Sequence, residues 1–273
     1  MIIIFTIIIL VQFFDNPNLW SDVGYEVLAG QLKAGQQVIL SRTKDSSPTF
    51  NKFDKNDIID CKRFKDINEE AEWVCEEIHK KIEKGELRMG DILVIVMAAK
   101  HQESYAGLFR NILHEKYNYN SHIAGITTPA DSFFQDDSIT FSGIFRAKGN
   151  EAAIVYIVGI QNCMTSTGTI RKHRNELFTA ITRSKMWVRI TGVGENISIL
   201  ESEIQKIKDN DYTLNFEYPT EEELKRIDKI YSDYSDLPKT KIRKIASLIA
   251  NGTINYDDLS EDMKQQLMES QED

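Results

Sequence analysis

The chain of 273 residues has 41% hydrophobic and 27% charged side chains with only 14 Gly and 5 Pro, which excludes collagen-like, low-complexity and wholly disordered proteins. At roughly 150 residues per domain, this length suits one large domain or a main domain with an appendage, either with a full core. The net charge of −9 is uneven: residues 196–273 hold 10 Lys and Arg against 18 Asp and Glu, or −8, leaving −1 for the first 195, so a near-neutral body and an acidic tail are different kinds of structure.

The opening run, residues 1–14, is rich in Ile and Phe. It lacks a basic n-region and a small-residue cleavage site, and it falls short of the roughly 20 residues that a bilayer core requires. It suits a buried β-strand; a membrane-associated segment and a start codon inside a longer reading frame are the alternatives. No stable membrane association is expected. Residues 15–53 are mixed, with a strand expected at 38–41 and a polar loop at 42–48. Asn68 is the expected N-cap of a helix on which Ala71, Val74, Cys75, Ile78 and Ile82 recur at helical spacing, closed by Gly85 at C′.

The continuous apolar run 92–97 predicts a strand covered on both faces, as in a parallel sheet. Tyr105, Leu108, Phe109, Ile112 and Leu113 mark a second helix. Strands are expected at 121–126, 139–144, 154–160 and 187–193, and a helix over 174–184. This alternation predicts an α/β architecture with a mostly parallel sheet. Such sheets bind ligands on loops beyond the carboxyl ends of their strands. Trp73 and Trp187 read as core residues. Helix starts at 219–223 and 258–261, with an apolar face over 241–250, predict a helical acidic tail.

Cys61, Cys75 and Cys163 form no C-x-x-C pair, so neither a disulfide framework nor a zinc cluster is suggested and a reducing cytoplasm is expected. His79, His101, His114, His122 and His173 are isolated and read as surface or structural residues. There is no G-x-x-x-x-G-K-[ST], no paired acidic Walker B strand, no H-E-x-x-H and no G-x-S-x-G. Alone, the chain is not expected to hydrolyse ATP efficiently.

Two stretches carry the chemical signal. Residues 139–152, ITFSGIFRAKGNEA, run into the apolar strand 154–159; about thirty residues later come 174–185, RNELFTAITRSK. They resemble motifs V and VI of superfamily 1 helicases of the UvrD/Rep type, approximately h-T-h-x-T-h-H-x-A-K-G-L-E-h-x-x-V and R-R-L-h-Y-V-A-h-T-R-A-K, where h is apolar. The stretch from Glu69-Glu70-Ala71-Glu72-Trp73 to Gly90-Asp91-Ile92 is similar to the family's E-E-A-x-W-I … G-x-x-x-x-D-I-A-V-L. The matches cover residues 38–193. With about 40 residues between Val96 and Ile139, there is no room for the large helical subdomain that UvrD and Rep insert there.

The resemblance implies a RecA-like (P-loop NTPase-type) fold with helices on both faces of the sheet. It divides the chain into an N-terminal segment 1–37, a RecA-like helicase C-terminal domain 38–217 and the tail 218–273. It implies that Glu151, beside Gly149, binds the ATP ribose, a carboxylate being a natural acceptor for hydroxyls. It gives Arg183 the part of the arginine finger that reaches the γ-phosphate, for which a guanidinium fork is suited. Thr140, Arg146 and Lys148 inherit nucleic-acid backbone contacts on or near a strand-end loop. Arg42, in a faint match to N-Y-R-S-P of motif IV, is a second γ-phosphate candidate. ATP, with Mg2+, would be held by a Walker-bearing N-terminal RecA-like domain supplied in cis or trans, and the track would take DNA or RNA, single-stranded. Phe145 stands where the family has His, Asn150 where an apolar residue is usual, and Phe178 where Tyr is commoner. The alternative is a stand-alone nucleic-acid-binding or regulatory module without ATPase activity. Against it, the net −9 disfavours strong nonspecific binding to phosphates.

Overall fold

A computed structural model of the chain describes residues 19–22, 24–44, 54–97, 102–161, 170–220 and 222. In chain order its elements are α1 (Leu19–Asp22), β1 (Tyr25–Gly30), β2 (Gln37–Arg42), α2 (Lys55–Ile58), β3 (Ile59–Phe64), α3 (Ile67–Glu83), β4 (Ile92–Val96), α4 (Gln102–Tyr117), β5 (Ser121–Ile123), β6 (Ile139–Gly143), α5 (Ile144–Ala147), β7 (Ala152–Val158), α6 (Ile170–Ile181), β8 (Ser184–Val193), α7 (Ser198–Asp209) and β9 (Leu214–Glu217). The expected strand in 1–14, most of the loop 42–48 and nearly all of the acidic tail lie outside the described residues, as do Cys163 and His101.

Every residue of β4 is buried, which explains why its sequence, ILVIV, has no polar alternation. It is a central strand of a six-stranded sheet of order β3-β8-β7-β4-β6-β5, whose pairings are parallel. Successive side chains of β4 and β7 enter two separate cores. Ile92, Val94, Ile154, Tyr156 and Val158 face α3 and α4 through Val74, Ile78, Phe109 and Leu113. Leu93, Ile95, Val155 and Ile157 face α5, α6 and α7 through Ile144, Leu177, Ala180, Leu200 and Ile204. The fold is thus the expected α/β architecture, a parallel sheet with helices on both faces. Trp73 and Trp187 are half-buried at the margin of the first core.

Helix α3 begins two residues earlier than its expected Asn68 cap. Asp66 is the N-cap because its carboxylate accepts from Asn68 N (2.8 Å) and Glu69 N (3.0 Å) together. At the other end Gly85, at φ +69, donates to Ile82 O and Glu86 N donates to Lys81 O. This pair of bonds is the Schellman closure that only a left-handed residue permits. Strand β5 stops at Ile123, three residues short of expectation, because Ile126 N and Thr127 N both turn back to Ile123 O.

A second sheet has the order β1-β2-β9, so the strand expected at 38–41 forms but belongs to this smaller sheet. By internal contacts the chain divides into a unit of Met1–Ala29 with Val38–Phe216 and another of Gly30–Gln37 with Glu217–Asp273. Within the second unit, Gly35 N donates to Tyr218 O (2.8 Å) and Tyr218 N donates to Gln36 O (2.9 Å).

Candidate functional site

The motif V stretch leaves β6 through α5, a single helical turn anchored by Ile144 (8% exposed) and Ala147 (0%) in the core under α6. Asn150 N then donates to Ala147 O (3.0 Å), and Gly149, at φ +89, makes the reversal. A Cβ on Gly149 would meet nothing within 4 Å, so glycine is required there by backbone conformation and not by space. The chain enters β7 at Ala152, whose N–H donates to Arg183 O (3.0 Å). Arg183 is two residues beyond α6 and one before β8, and Ala152 pairs with Ser184 in register. Glu151 and Arg183 therefore stand side by side, each one residue ahead of its strand.

This places the pair at the amino ends of β7 and β8 and not beyond carboxyl ends, where ligand-binding loops are expected. The reason is topological: although the motif V stretch begins by leaving β6, Glu151 and Arg183 each stand where the chain runs into a strand. Glu151 is exposed and Arg183 half-buried. The guanidinium rests on the last turn of its own helix, with Nε donating to Thr179 O (3.2 Å) and Nη2 to Thr182 Oγ1 (3.2 Å). Nη1 has no partner among the described residues, and no ion pair there joins Arg183 to Glu151.

The other candidates are dispersed. Thr140 lies within β6, not on a loop, and is 0% exposed, with Oγ1 3.4 Å from His122 Nε2. A hydroxyl so enclosed steadies His122, which also meets Ser138 Oγ (2.8 Å) and Phe133 O (2.9 Å), and does not face a phosphate. Arg146 is exposed, but its guanidinium donates to Ala130 O and covers Gly125, where a Cβ would fall 2.4 Å from Cζ. Lys148 is exposed on the same turn as Gly149 and makes no ion pair among the described residues. Arg42 ends β2 in the three-stranded sheet, its guanidinium 4.7 Å from the Tyr25 ring centroid. The ladders that align Glu151 with Arg183 do not include it.

The opposite end of the sheet holds a group that sequence reading overlooked. Glu70, 0% exposed on α3, accepts at Oε1 from Thr191 Oγ1 (2.6 Å) and Gly159 N (3.1 Å), and at Oε2 from Tyr105 OH. Burial pushes its carboxyl above the usual range, outweighing the hydrogen bonds from Thr191, Tyr105 and Gly159. The signal was available: Glu70, Val74 and Ile78 share one stripe of α3, so an acid sits in an apolar row. Gln161 Nε2 reaches Tyr105 OH (3.2 Å), and Val193 N reaches Gln161 Oε1 (3.0 Å), extending the network across the carboxyl ends of β7 and β8.

Among the described residues no group of three or more His, Cys, Asp or Glu could hold a metal ion, and no helix is long and apolar enough to cross a membrane. No curated protein matches the chain. A solved structure, the C-terminal domain of a possible DNA helicase from Lactobacillus plantarum, superposes with a TM-score of 0.39 at 14% identity, covering 51% of this chain and 76% of that one. The family model of the UvrD-like helicase C-terminal domain matches residues 138–191, the span from the start of β6 through most of β8 that builds the Glu151 and Arg183 turns. Over those residues the chain is similar to the UvrD-like helicase C-terminal domain.

Proposed function

We propose that the chain is the C-terminal motor half of an ATP-dependent superfamily 1 DNA or RNA helicase, working against a Walker-bearing RecA-like domain supplied in cis or trans. The observation that carries this reading is the Ala152 N–H bond to Arg183 O, which ties the two motif-bearing turns together at one edge of the sheet. Their chemistry fits a nucleotide held by a facing lobe. Glu151 offers an exposed carboxylate to ribose hydroxyls, and Arg183 offers an uncommitted Nη1 to a terminal phosphate. The partner lobe would hold Mg2+ and the triphosphate, and this chain would add positive charge where the transferring phosphoryl group develops negative charge. Lys148, exposed on the same turn, would contribute to a single-stranded track, with Arg146 bracing the turn through Ala130. A cytoplasmic setting suits the thiols Cys61 and Cys75, which are unpaired in the structure.

The test is single-strand-stimulated ATP hydrolysis by the chain joined to a lobe carrying Walker A and B. Arg183→Ala is expected to lower kcat by about a thousandfold or more, the scale of an arginine finger. Glu151→Gln is expected to raise KM for ATP more than it lowers kcat. An Arg183→Ala protein with undiminished kcat would refute the assignment.

A further inference from the structure

We infer that Phe145 is a base-stacking platform for single-stranded nucleic acid, set on the motif V turn in place of the family's His; this rests on the reading above. Phe145 is 75% exposed, more than the other large exposed hydrophobics described, Leu28 (57%), Ile199 (55%), Ile126 (50%) and Val27 (46%). A lone apolar side chain on a surface needs no explanation. This one differs in how it is held. Its neighbours Ile144 and Ala147 are locked in the core, so the short helix cannot roll to bury the ring. Arg146 fastens the same turn to the loop after β5, through Ala130 O and the face of Gly125.

The ring is thus held out into water by structure on both sides, between one cation that braces the turn and another, Lys148, that is exposed without an ion pair among the described residues. An aromatic face beside a cation suits a base and its phosphate. Stacking tolerates any sequence, because every base has a π-face, whereas the cation tracks the backbone. A ring cannot replace the hydrogen bond of an imidazole. The substitution therefore exchanges a polar contact for one that reads the presence of a base.

The experiment measures fluorescence anisotropy of the full chain at low salt with three labelled probes: oligothymidylate, oligouridylate and an abasic deoxyribose strand of equal length. Phe145→Ala is expected to weaken the base-bearing strands about tenfold, within the range of one base–aromatic stack, and to leave the abasic strand unchanged. Phe145→Trp is expected to restore binding. Lys148→Ala is expected to weaken all strands alike and to reduce the slope of log affinity against log salt by about one phosphate contact. Equal loss on thymidylate and uridylate marks a ring blind to the sugar, and loss on one alone identifies the strand it serves. If wild type binds and Phe145→Ala binds within twofold on both base-bearing strands, the inference is overturned and the ring belongs to a protein surface, while the motor reading stands. Wild type that binds no strand also overturns it, and the Arg183 assay then reports separately whether the motor reading falls too.

Discussion

Removing the Glu70 carboxyl should destabilise the protein at the carboxyl end of the sheet, by an amount that follows from its contacts. Three donors converge on it: Thr191 Oγ1 at 2.6 Å, Gly159 N at 3.1 Å and Tyr105 OH. In Glu70→Ala all three lose their acceptor in a region closed to water. Gln161 does not rescue Tyr105, because its Nε2 is itself a donor to that hydroxyl. A buried donor left unsatisfied costs about 1–3 kcal/mol, so the substitution should cost about 3 kcal/mol or more. That is a large share of the roughly 5–15 kcal/mol that holds a domain folded. Glu70→Gln keeps an acceptor for Thr191 and Gly159 and removes a buried charge, so it should stay within about 1 kcal/mol of wild type at neutral pH.

The pH dependence follows from the raised carboxyl pKa. The folded state holds its proton more tightly than the unfolded chain does. The contribution of Glu70 to stability is therefore fully present below the ordinary carboxyl pKa of about 4.3 and is lost as pH rises through the folded value. Glu70→Gln cannot titrate, so its stability relative to wild type should increase from acid towards neutral pH. Urea unfolding followed by far-ultraviolet circular dichroism, at several pH values, measures both effects. A Glu70→Ala midpoint equal to wild type would refute the reasoning. So would a Glu70→Gln protein as unstable as Glu70→Ala, since that would make the charge, and not the acceptor, the stabilising feature.

Tyr156→Phe should leave stability unchanged or raise it by about 1 kcal/mol, because the hydroxyl is fully buried with no hydrogen-bond partner among the described residues; a loss above about 1 kcal/mol in the same assay would reveal a partner. Gly149→Ala should cost about 1 kcal/mol through its left-handed φ alone, and a substitution without effect on the urea midpoint would show that the turn relaxes freely. Cys75 is fully enclosed, and burial pushes its thiol up. Its peptide should resist iodoacetamide in the native protein and react in urea, as read by mass spectrometry; equal labelling in both would contradict the packing of α3 on α4.

The parts of the fold that were legible are those where burial on both sides removes polar alternation. Ile92–Val96 and Ala152–Val158 announce themselves as continuous apolar runs, and the motif turns attached to them could be found by spacing. The elements that escaped notice are those in which water covers a face. In Ile59–Phe64, IDCKRF, Cys61 is half-buried and Lys62 and Arg63 are exposed, because β3 is the edge of the sheet. In Tyr25–Gly30 only Tyr25 is buried, so hydrophobicity cannot predict it. Helix α7 has no side-chain cap and exposes Ile199. At the site, the adjacency of Glu151 and Arg183 was implied by motif order, but the burial of Thr140 was not. Burial there depends on β5 and its His122 covering β6, which is a long-range fact.

The two ends of the sheet divide rigidity from reach. At the carboxyl end, side chains of α4 and β8 and the backbone just beyond β7 converge on one buried carboxyl of α3. At the amino end the two turns are joined through a main-chain bond, the Ala152 N–H to Arg183 O, with Glu151 exposed and Arg183 half-buried. Arg183 rests on a carbonyl of α6 and on the hydroxyl of Thr182 just beyond it. Each such neutral contact is worth about 1 kcal/mol net, while a guanidinium meeting an anion gains about 1.5–3 kcal/mol per bond. A phosphate engaging two of its nitrogens can therefore draw the side chain off its resting place with free energy to spare. The strands behind it need not move, because Ala152 holds Arg183 by its carbonyl and not by its side chain. An arginine with a fixed backbone and an exchangeable resting contact can answer the arrival of an anion without first remodelling the domain that carries it.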